Sequence, residues 1–588
     1  MAPSLLAAVN TGSVFNDLDW VVIVLFLFGM VAVVWASMRK KVQSGADYFL
    51  SGREAGWVQI GTSIYSSNIG SEHLVGLAGS GFATGMAMAH WEMQGWIILI
   101  LGWVFVPIYD RIKVFTMPEY LEKRYSPGSR SILSFLTITS LVLTKIAATL
   151  YAADVVFKVL LGRESIEIMG QNIDMFWFIS FGLAIATGIY TALGGLRVIM
   201  YTAVLQTPVL LFGSICILFI GLHKLSPGSL IGGWHIMLAA MGDNIHLIRP
   251  NSDSQWPWLA VLPGSAIIGF WYWCTDQYIV QRVLAGKNEK ESRRGSILAA
   301  YLKLTPVFIF LVPGMIAFAL TKTGELQTSG DAAYTSLVAN ILPHGVRGIV
   351  ACGMLTALMA SLASKYNASA TLVTMDFYQK WRPNASGRSQ VAVGRIATAV
   401  IVVVGILWVL VMKSLGRNLY EYLQSVQGYM SPAIAVLFVL GIFWKRANAT
   451  AAFWAFLVGA VGGLFRLVLD LLIRRPINEL DALLRSHAIT DAEHANKLAT
   501  IKGEWGILYT LQDSHWLYFA EGLLILTVVL MFAISMLTKA PAPETVRFTY
   551  YGATAEEKAA TRASWNGWDV FHSLVVIGIV VTFYVSFW

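Results

Sequence analysis

The sequence predicts an all-α polytopic membrane protein with fourteen transmembrane helices, on three observations. Of 588 residues, 56% are hydrophobic and only 13% are charged, where a soluble chain devotes about a quarter to charge. So little charge cannot cover a soluble fold of this size, but it suits a surface solvated by lipid. Apolar runs of about 20 residues, the length that crosses a hydrocarbon core, recur from end to end. Every second loop between them is basic, the pattern of cytoplasmic connections.

Fourteen runs are readable, near 18–38, 57–82, 86–109, 130–160, 173–193, 198–222, 258–281, 298–321, 344–378, 393–413, 420–443, 450–473, 516–537 and 569–588. Arg39, Lys40, Lys41 and Arg53 fill the first connection, and Arg111, Lys113, Lys123, Arg124 and Arg130 fill the third. The alternation continues through Arg197, Arg282 to Arg294, Lys380 to Arg395, and Lys445 with Arg446. The net charge of +8 therefore belongs to loop topology, not to a nucleic-acid face. The loop 475–515 also holds basic residues but is long enough to cross largely regardless of charge. Both termini are expected outside a plasma (inner) membrane. The first run lacks a basic n-region and is too long for a secretory signal. Cys216, Cys274 and Cys352 lie inside apolar runs and imply no disulfide framework.

Two runs are interrupted. The second contains Gly61 and the small, polar stretch Ser66 to Ser71; the seventh contains Pro263, Gly264, Ser265 and Gly269. If a five-helix unit starts at the second run, the next starts at the seventh, and an odd number of helices inverts the second copy. Interrupted helices at matching places point to a binding site at the repeat interface. The layout divides the chain into an extra N-terminal helix and loop (1–56), a first five-helix unit (57–222), an external loop (223–257), a second unit (258–443), and three C-terminal helices with the loop 475–515 (444–588).

Ionisable side chains near the bilayer centre cost about 2.5–3.5 kcal/mol on insertion scales and need a partner, a wet cavity or a task. The candidates are Glu92, Lys145, Asp276, Lys303, Glu421 and Glu521, with His73 and Gln424 as polar neighbours. Glu92 and Lys303, on different helices at similar depth, face one cavity or form an ion pair that locks the helices. Lys145 reads as structural or snorkelling, and Glu521 as interfacial. Asn68 and His73 flank the break, where a lone histidine also serves as a packing residue. The small residues from Met354 to Thr371 permit close helix approach. Ser361, with unwound carbonyls near Ser66 and Ile69, offers the hard oxygens a sodium ion needs, although no spacing motif identifies such a site.

Several strings, in order and nearly end to end, resemble the sodium/solute symporter family in its sodium–glucose cotransporter branch. They are Tyr48 to Arg53, Ser67 to Ser71 with His73 and Gly76 to Gly79, Val106 to Tyr109, and Thr116 to Arg124. Further on come Trp271 to Gln277 with Gln281 and Arg282, Tyr301 to Lys303, and Phe443 to Arg446. The resemblance implies a five-plus-five inverted-repeat, leucine-transporter-like core, Na+ as coupling ion and a small-molecule sugar as substrate. Carried over residue by residue, it implies a sugar site of Asn68, His73, Glu92, Lys303 and Gln424, with Tyr272 stacking beneath the ring and Trp273 beside it. It places an outer gate at Leu77, Trp91 and Tyr420, and an inner one at Tyr272. It assigns sodium to the carbonyls of Ser66, Ile69 and Ala357 and the hydroxyl of Ser361.

Three departures qualify the resemblance. Gly269 stands where relatives carry a polar sugar contact, so that hydrogen bond is missing or replaced by water. Ala203 and Ala363 replace ligands of a second sodium site, which implies one sodium per substrate. Ala360 replaces the first of two adjacent serines at the primary site, which weakens or alters cation coupling. A sugar sensor of the same fold, and a polyol such as inositol as substrate, stay open. No catalytic cluster, nucleophile elbow or phosphate loop supports an enzyme.

Overall fold

A computed structural model describes residues 14–70, 72–168, 170–413, 419–486 and 488–588. The side chains of Tyr420 and Glu421 lie outside the described residues. The chain is mostly helical. Among the described residues, eleven helical segments are long and apolar enough to cross a membrane, or twelve if the bent pair Trp258–Cys274 and Gln277–Leu284 counts as one crossing.

The segments divide the sequence differently from the apolar runs, for local reasons. The runs at 173–193 and 198–222 join as Met175–Leu225, which turns at Gly195 (φ 59°, ψ −153°). That backbone is one an L side chain rarely adopts. The second run is cut: Trp57–Asn68 ends at the polar stretch, and its remainder joins the next run as Glu72–Ile112. The N-terminal helix Asp17–Met38 is closed by a reciprocal cap between Asn16 and Asp19 and turns Leu25, Phe28 and Trp35 outward. At about 1.5 Å per residue it spans the hydrocarbon core.

The breaks position the site. At the first, the helix ladder ends with the Ile69 N–H donating to Tyr65 O, and the chain resumes with His73 and Leu74 donating to Gly70 O. Ile69 is extended (φ −71°, ψ 122°), so the last carbonyls of Trp57–Asn68 have no intrahelical donors. A π-helical turn, Glu72–Leu77, follows. Such turns recur at functional sites because they redirect side chains.

The second break corrects the sequence reading. Trp258–Cys274 runs through Pro263, Gly264 and Gly269, and the bend of 45° comes at Thr275 and Asp276. Pro263 lies near the helix start, where its missing N–H costs the ladder one bond. Asp276 instead adopts an extended conformation (φ −73°, ψ 128°) before Gln277–Leu284.

Glu289–Lys303 packs along Trp57–Asn68, and Met175–Leu225 packs along Val346–Leu372. Outside the bundle, Ser165–Ile168 and Gln171–Asp174 form an antiparallel hairpin. The segment 475–515 folds into helices Arg475–Arg485, Asp491–Trp505 and Ile507–Asp513. The buried Arg466 guanidinium holds this segment by donating to the carbonyls of Leu511, Gln512 and Ser514.

Candidate substrate and cation site

Beside the first break lies a cavity with about 450 Å³ of empty space. All seven expected sugar-site residues line it: Asn68, His73, Glu92, Tyr272, Trp273, Lys303 and Gln424. They come from both interrupted helices and from helices packed on them. Glu72, Gln94 and Gln427 also line it, and sequence reasoning missed all three.

The polar groups form one network. The Lys303 ammonium donates to Glu92 Oε2 at 2.5 Å and to Asn68 Oδ1 at 3.3 Å. Asn68 Nδ2 donates to the Tyr272 hydroxyl at 2.9 Å, which also accepts from the Tyr278 hydroxyl. Lys303 additionally lies 5.3 Å from the centre of the Trp273 ring. The expected pairing of Glu92 with Lys303 and their exposure to one cavity are therefore both present. The pair locks two helices and still borders open space.

Other groups have no hydrogen-bond partner among the described residues. His73 Nε2 lies 3.4 Å from Glu92 Oε2, misaligned for a hydrogen bond, and both ring nitrogens of His73 are buried and unbonded, as is Trp91 Nε1. Buried polar atoms are nearly always satisfied, so exceptions call for a water or a ligand. A ligand rich in hydroxyls both donates and accepts and answers this mixture.

Gln94 accounts for the departure at Gly269. A Cβ on Gly269 would lie 2.5 Å from Gln94 Oε1 and 2.7 Å from its Nε2. The Gln94 amide occupies that place, donating to Ser265 O at 2.8 Å and accepting from Trp273 Nε1 at 3.0 Å. An amide carried by another helix thus stands where the resemblance left a gap.

Of the expected gate, Trp91 lines the cavity, stacks on Trp516 at 6.3 Å and meets Trp256 edge-on at 5.8 Å. Trp256 and Trp516 in turn line a wide vestibule of about 1960 Å³ that includes Asp331, Arg474 and His515. Gln424 borders both spaces, so aromatic rings partition cavity from vestibule. Leu77 is fully buried and lines neither space. Tyr272 lines the cavity and meets Tyr278 edge-on at 5.6 Å, next to the buried ion pair Lys145–Asp276 at 2.9 Å. Lys145 lies 4.5 Å from the Tyr278 ring centre and does not snorkel.

The expected cation ligands flank the break. Ser66, Ile69, Ala357 and Ser361 are all buried. Gly70 permits the contact between the two elements: a Cβ there would lie 2.7 Å from Ser361 Oγ. The Ser67 and Ser364 hydroxyls bridge the same elements at 2.7 Å. Ser361 Oγ has no hydrogen-bond partner among the described residues. Ala363 packs with Tyr190, Val198 and Ile199 in an apolar cluster, and Ala203 is fully buried.

Comparison with known proteins agrees with this geometry. A sequence model of the sodium:solute symporter family matches residues 48–459. Sodium/myo-inositol cotransporter 2 of Bos taurus is 35% identical over 90% of this chain and 78% of its own length. Sodium/glucose cotransporter 4 of Danio rerio is 34% identical over 92% and 81%, and sodium/glucose cotransporter 1 of Ovis aries is 34% identical over 89% and 79%. The solved outward-open, substrate-bound structure of a Na+-coupled sialic acid symporter shares the fold, with a TM-score of 0.68 at 19% identity over 90% of this chain and 99% of that one. With an interrupted helix, an unbonded serine and a polar cavity at one place, and with these matches, the chain belongs to the sodium:solute symporter family.

Proposed function

We infer that this protein is a sodium-coupled symporter that takes up a monosaccharide such as glucose or galactose, or a closely related polyol, by alternating access. The observation that carries the reading is the cavity itself. An acid, a cation, amides and an imidazole surround it, aromatic rings flank it, and its unbonded polar atoms match a ligand of many hydroxyls. Sodium bridges the break at Ser66 and Ile69 to Ala357 and Ser361, favours the state open to the vestibule and shapes the sugar site. Closure of the Trp91 partition and opening past Tyr272 then release both solutes. Coupling requires sodium to bind the competent state better than the other; equal affinity shifts nothing.

The finer architecture follows from the same reading. The chain crosses a plasma (inner) membrane fourteen times, with both termini outside and a five-plus-five inverted-repeat core at 57–222 and 258–443. The apolar cluster around Ala363 and the missing side-chain oxygen at Ala203 favour one sodium per substrate. The protein is a carrier, not an enzyme. A sugar sensor is the second reading, favoured by the single hydroxyl left at Ala360 and Ser361. Inositol fits the same polar set as a hexose.

The test is uptake of radiolabelled glucose, galactose and myo-inositol into proteoliposomes under inward sodium, potassium or proton gradients. Sodium-driven accumulation that Lys303→Ala abolishes is expected. Binding without accumulation under every gradient selects the sensor, and neither binding nor uptake overturns the substrate class.

A further inference from the structure

The chain carries an ion pair at the break that the proposed transport cycle does not use. Glu72 opens the π-helical turn directly after the break, and its side chain borders the substrate cavity. Its Oε2 lies 2.9 Å from the point where a Cβ on Gly70 would stand, and Ser361 Oγ lies 2.7 Å from that same point. A carboxylate oxygen and an unbonded, buried hydroxyl therefore converge on one small volume at the mouth of the unwound segment. A hard cation prefers such oxygens, at about 2.3–2.6 Å for calcium.

Lys365 supplies the second half of the observation. It lies one helical turn beyond Ser361, on the same face, and is 1% exposed. Its ammonium stands 3.6 Å from Glu72 Oε1. It is held there by donating to Thr149 Oγ1 at 2.9 Å and to Lys145 O at 3.4 Å. Of the other ionisable groups facing this cluster, Lys145 pairs with Asp276, and Lys303 pairs with Glu92 beside His73. An ammonium near the carboxylate, yet anchored elsewhere, is placed to balance its charge without occupying the space beside Ser361.

We propose that Glu72 is a cation ligand of this chain, supplying the oxygen lost at Ala360, and that the Lys365 ammonium is a tethered competitor that neutralises Glu72 when sodium is absent. Sodium then binds against an internal cation. This sets its affinity lower than the carboxylate alone would give and returns the ammonium to Glu72 when sodium leaves. The proposal rests on the sodium-coupled reading and concerns which groups hold the ion.

The experiment is equilibrium binding of radioactive sodium, without sugar, to the purified full chain in lipid nanodiscs. It compares wild type, Lys365→Met, Glu72→Gln and the double variant. Lys365→Met is expected to bind sodium about tenfold tighter or more, because one charge–charge interaction in a poorly hydrated interior is worth at least that factor. Glu72→Gln is expected to bind about tenfold weaker or more, and the double variant to bind weaker than Lys365→Met by a similar factor. A purely structural ion pair gives a different pattern: Lys365→Met binds sodium weaker than wild type and the double variant binds it tighter than either single variant, which overturns the proposal. If a single variant does not fold, Glu72→Asp decides, since it keeps the charge pair and withdraws the oxygen: weaker binding supports Glu72 as ligand and wild-type binding refutes it. Wild type that binds sodium with all variants unchanged refutes this inference alone. Wild type that binds no sodium refutes the coupling reading as well.

Discussion

Gly269→Ala tests whether Gln94 has taken over the vacant contact. The new Cβ would stand 2.5–2.7 Å from the Gln94 amide atoms, closer than any real contact, so the amide must move. Both of its ends are anchored, to Ser265 O and to Trp273 Nε1. Movement therefore breaks one or both bonds and releases an indole that lines the cavity. Each neutral hydrogen bond is worth about 0.5–1.5 kcal/mol net, so the loss is about 1–3 kcal/mol. If Trp273 must be held in place for sugar to bind, this weakens apparent sugar affinity about 5- to 150-fold. The assay is initial uptake against sugar concentration in proteoliposomes, with thermal unfolding of the same preparations to separate misfolding from site damage. Gln94→Ala alone is expected to weaken affinity by a similar factor, and adding Gly269→Ala to it should cost little more, since the collision is gone. Wild-type affinity in Gly269→Ala refutes the reasoning, as does an equal added loss in the Gln94→Ala background.

Four further outcomes follow from particular contacts. Ser361→Ala removes the buried, unbonded hydroxyl proposed as a sodium ligand, so uptake should lose its sodium dependence, read from initial rates at graded sodium; normal sodium-driven transport refutes the ligand assignment. Lys303→Ala strands the buried Glu92 carboxylate, a change that costs about 3–5 kcal/mol. Lys303→Met with Glu92→Gln should recover thermal stability but not uptake. Partial desolvation where Asp331 lines the vestibule raises its carboxyl above its ordinary value of 3.8. The folded form thus holds this proton more tightly than the unfolded form, and stability rises as pH falls through the raised value. Asp331→Asn should flatten that acid-range dependence in thermal unfolding measured across pH. Finally, a Cβ on Gly314 would lie 2.0 Å from Ala78 O. Backbone cannot yield as a side chain does, so Gly314→Ala should lower stability by about 1–3 kcal/mol or more, seen as a lower unfolding temperature.

The sequence made much of this fold and site legible because membrane insertion penalises polar residues singly and visibly. Asn68, His73, Glu92, Lys303 and Gln424 stand out against apolar neighbours, and the structure brings all five to one cavity. The first break was legible for a related reason: Ser66 to Gly70 offers small and polar residues where a lipid-facing helix carries bulky apolar ones. The second was misplaced because Pro263 and Gly264 look like breakers in isolation. Pro263 removes one ladder bond without ending the helix, whereas at Thr275 and Asp276 the helix stops and the chain bends by 45°.

What escaped the sequence was pairing. Glu72 follows a stretch that already reads as unwound, where a charge does not stand out, and Lys365 sits among small residues whose spacing points to close helix packing. Each becomes intelligible only opposite the other, across the contact that Gly70 permits. Lys145 and Asp276 repeat the case: singly one reads as snorkelling and the other as unexplained, whereas together they are a buried pair beneath Tyr272. Gln94 was hidden differently, since its role is defined by the side chain that Gly269 lacks. A buried charge is tolerable only with a partner in place, and removing one partner costs far more than exchanging both for apolar groups. The pairs Glu92–Lys303, Lys145–Asp276 and Glu72–Lys365 all lie at the unwound segments. Any motion that opens one side of the cavity must therefore keep each pair together or replace its partner with water or an ion, so these contacts constrain the paths by which the cavity can exchange sides.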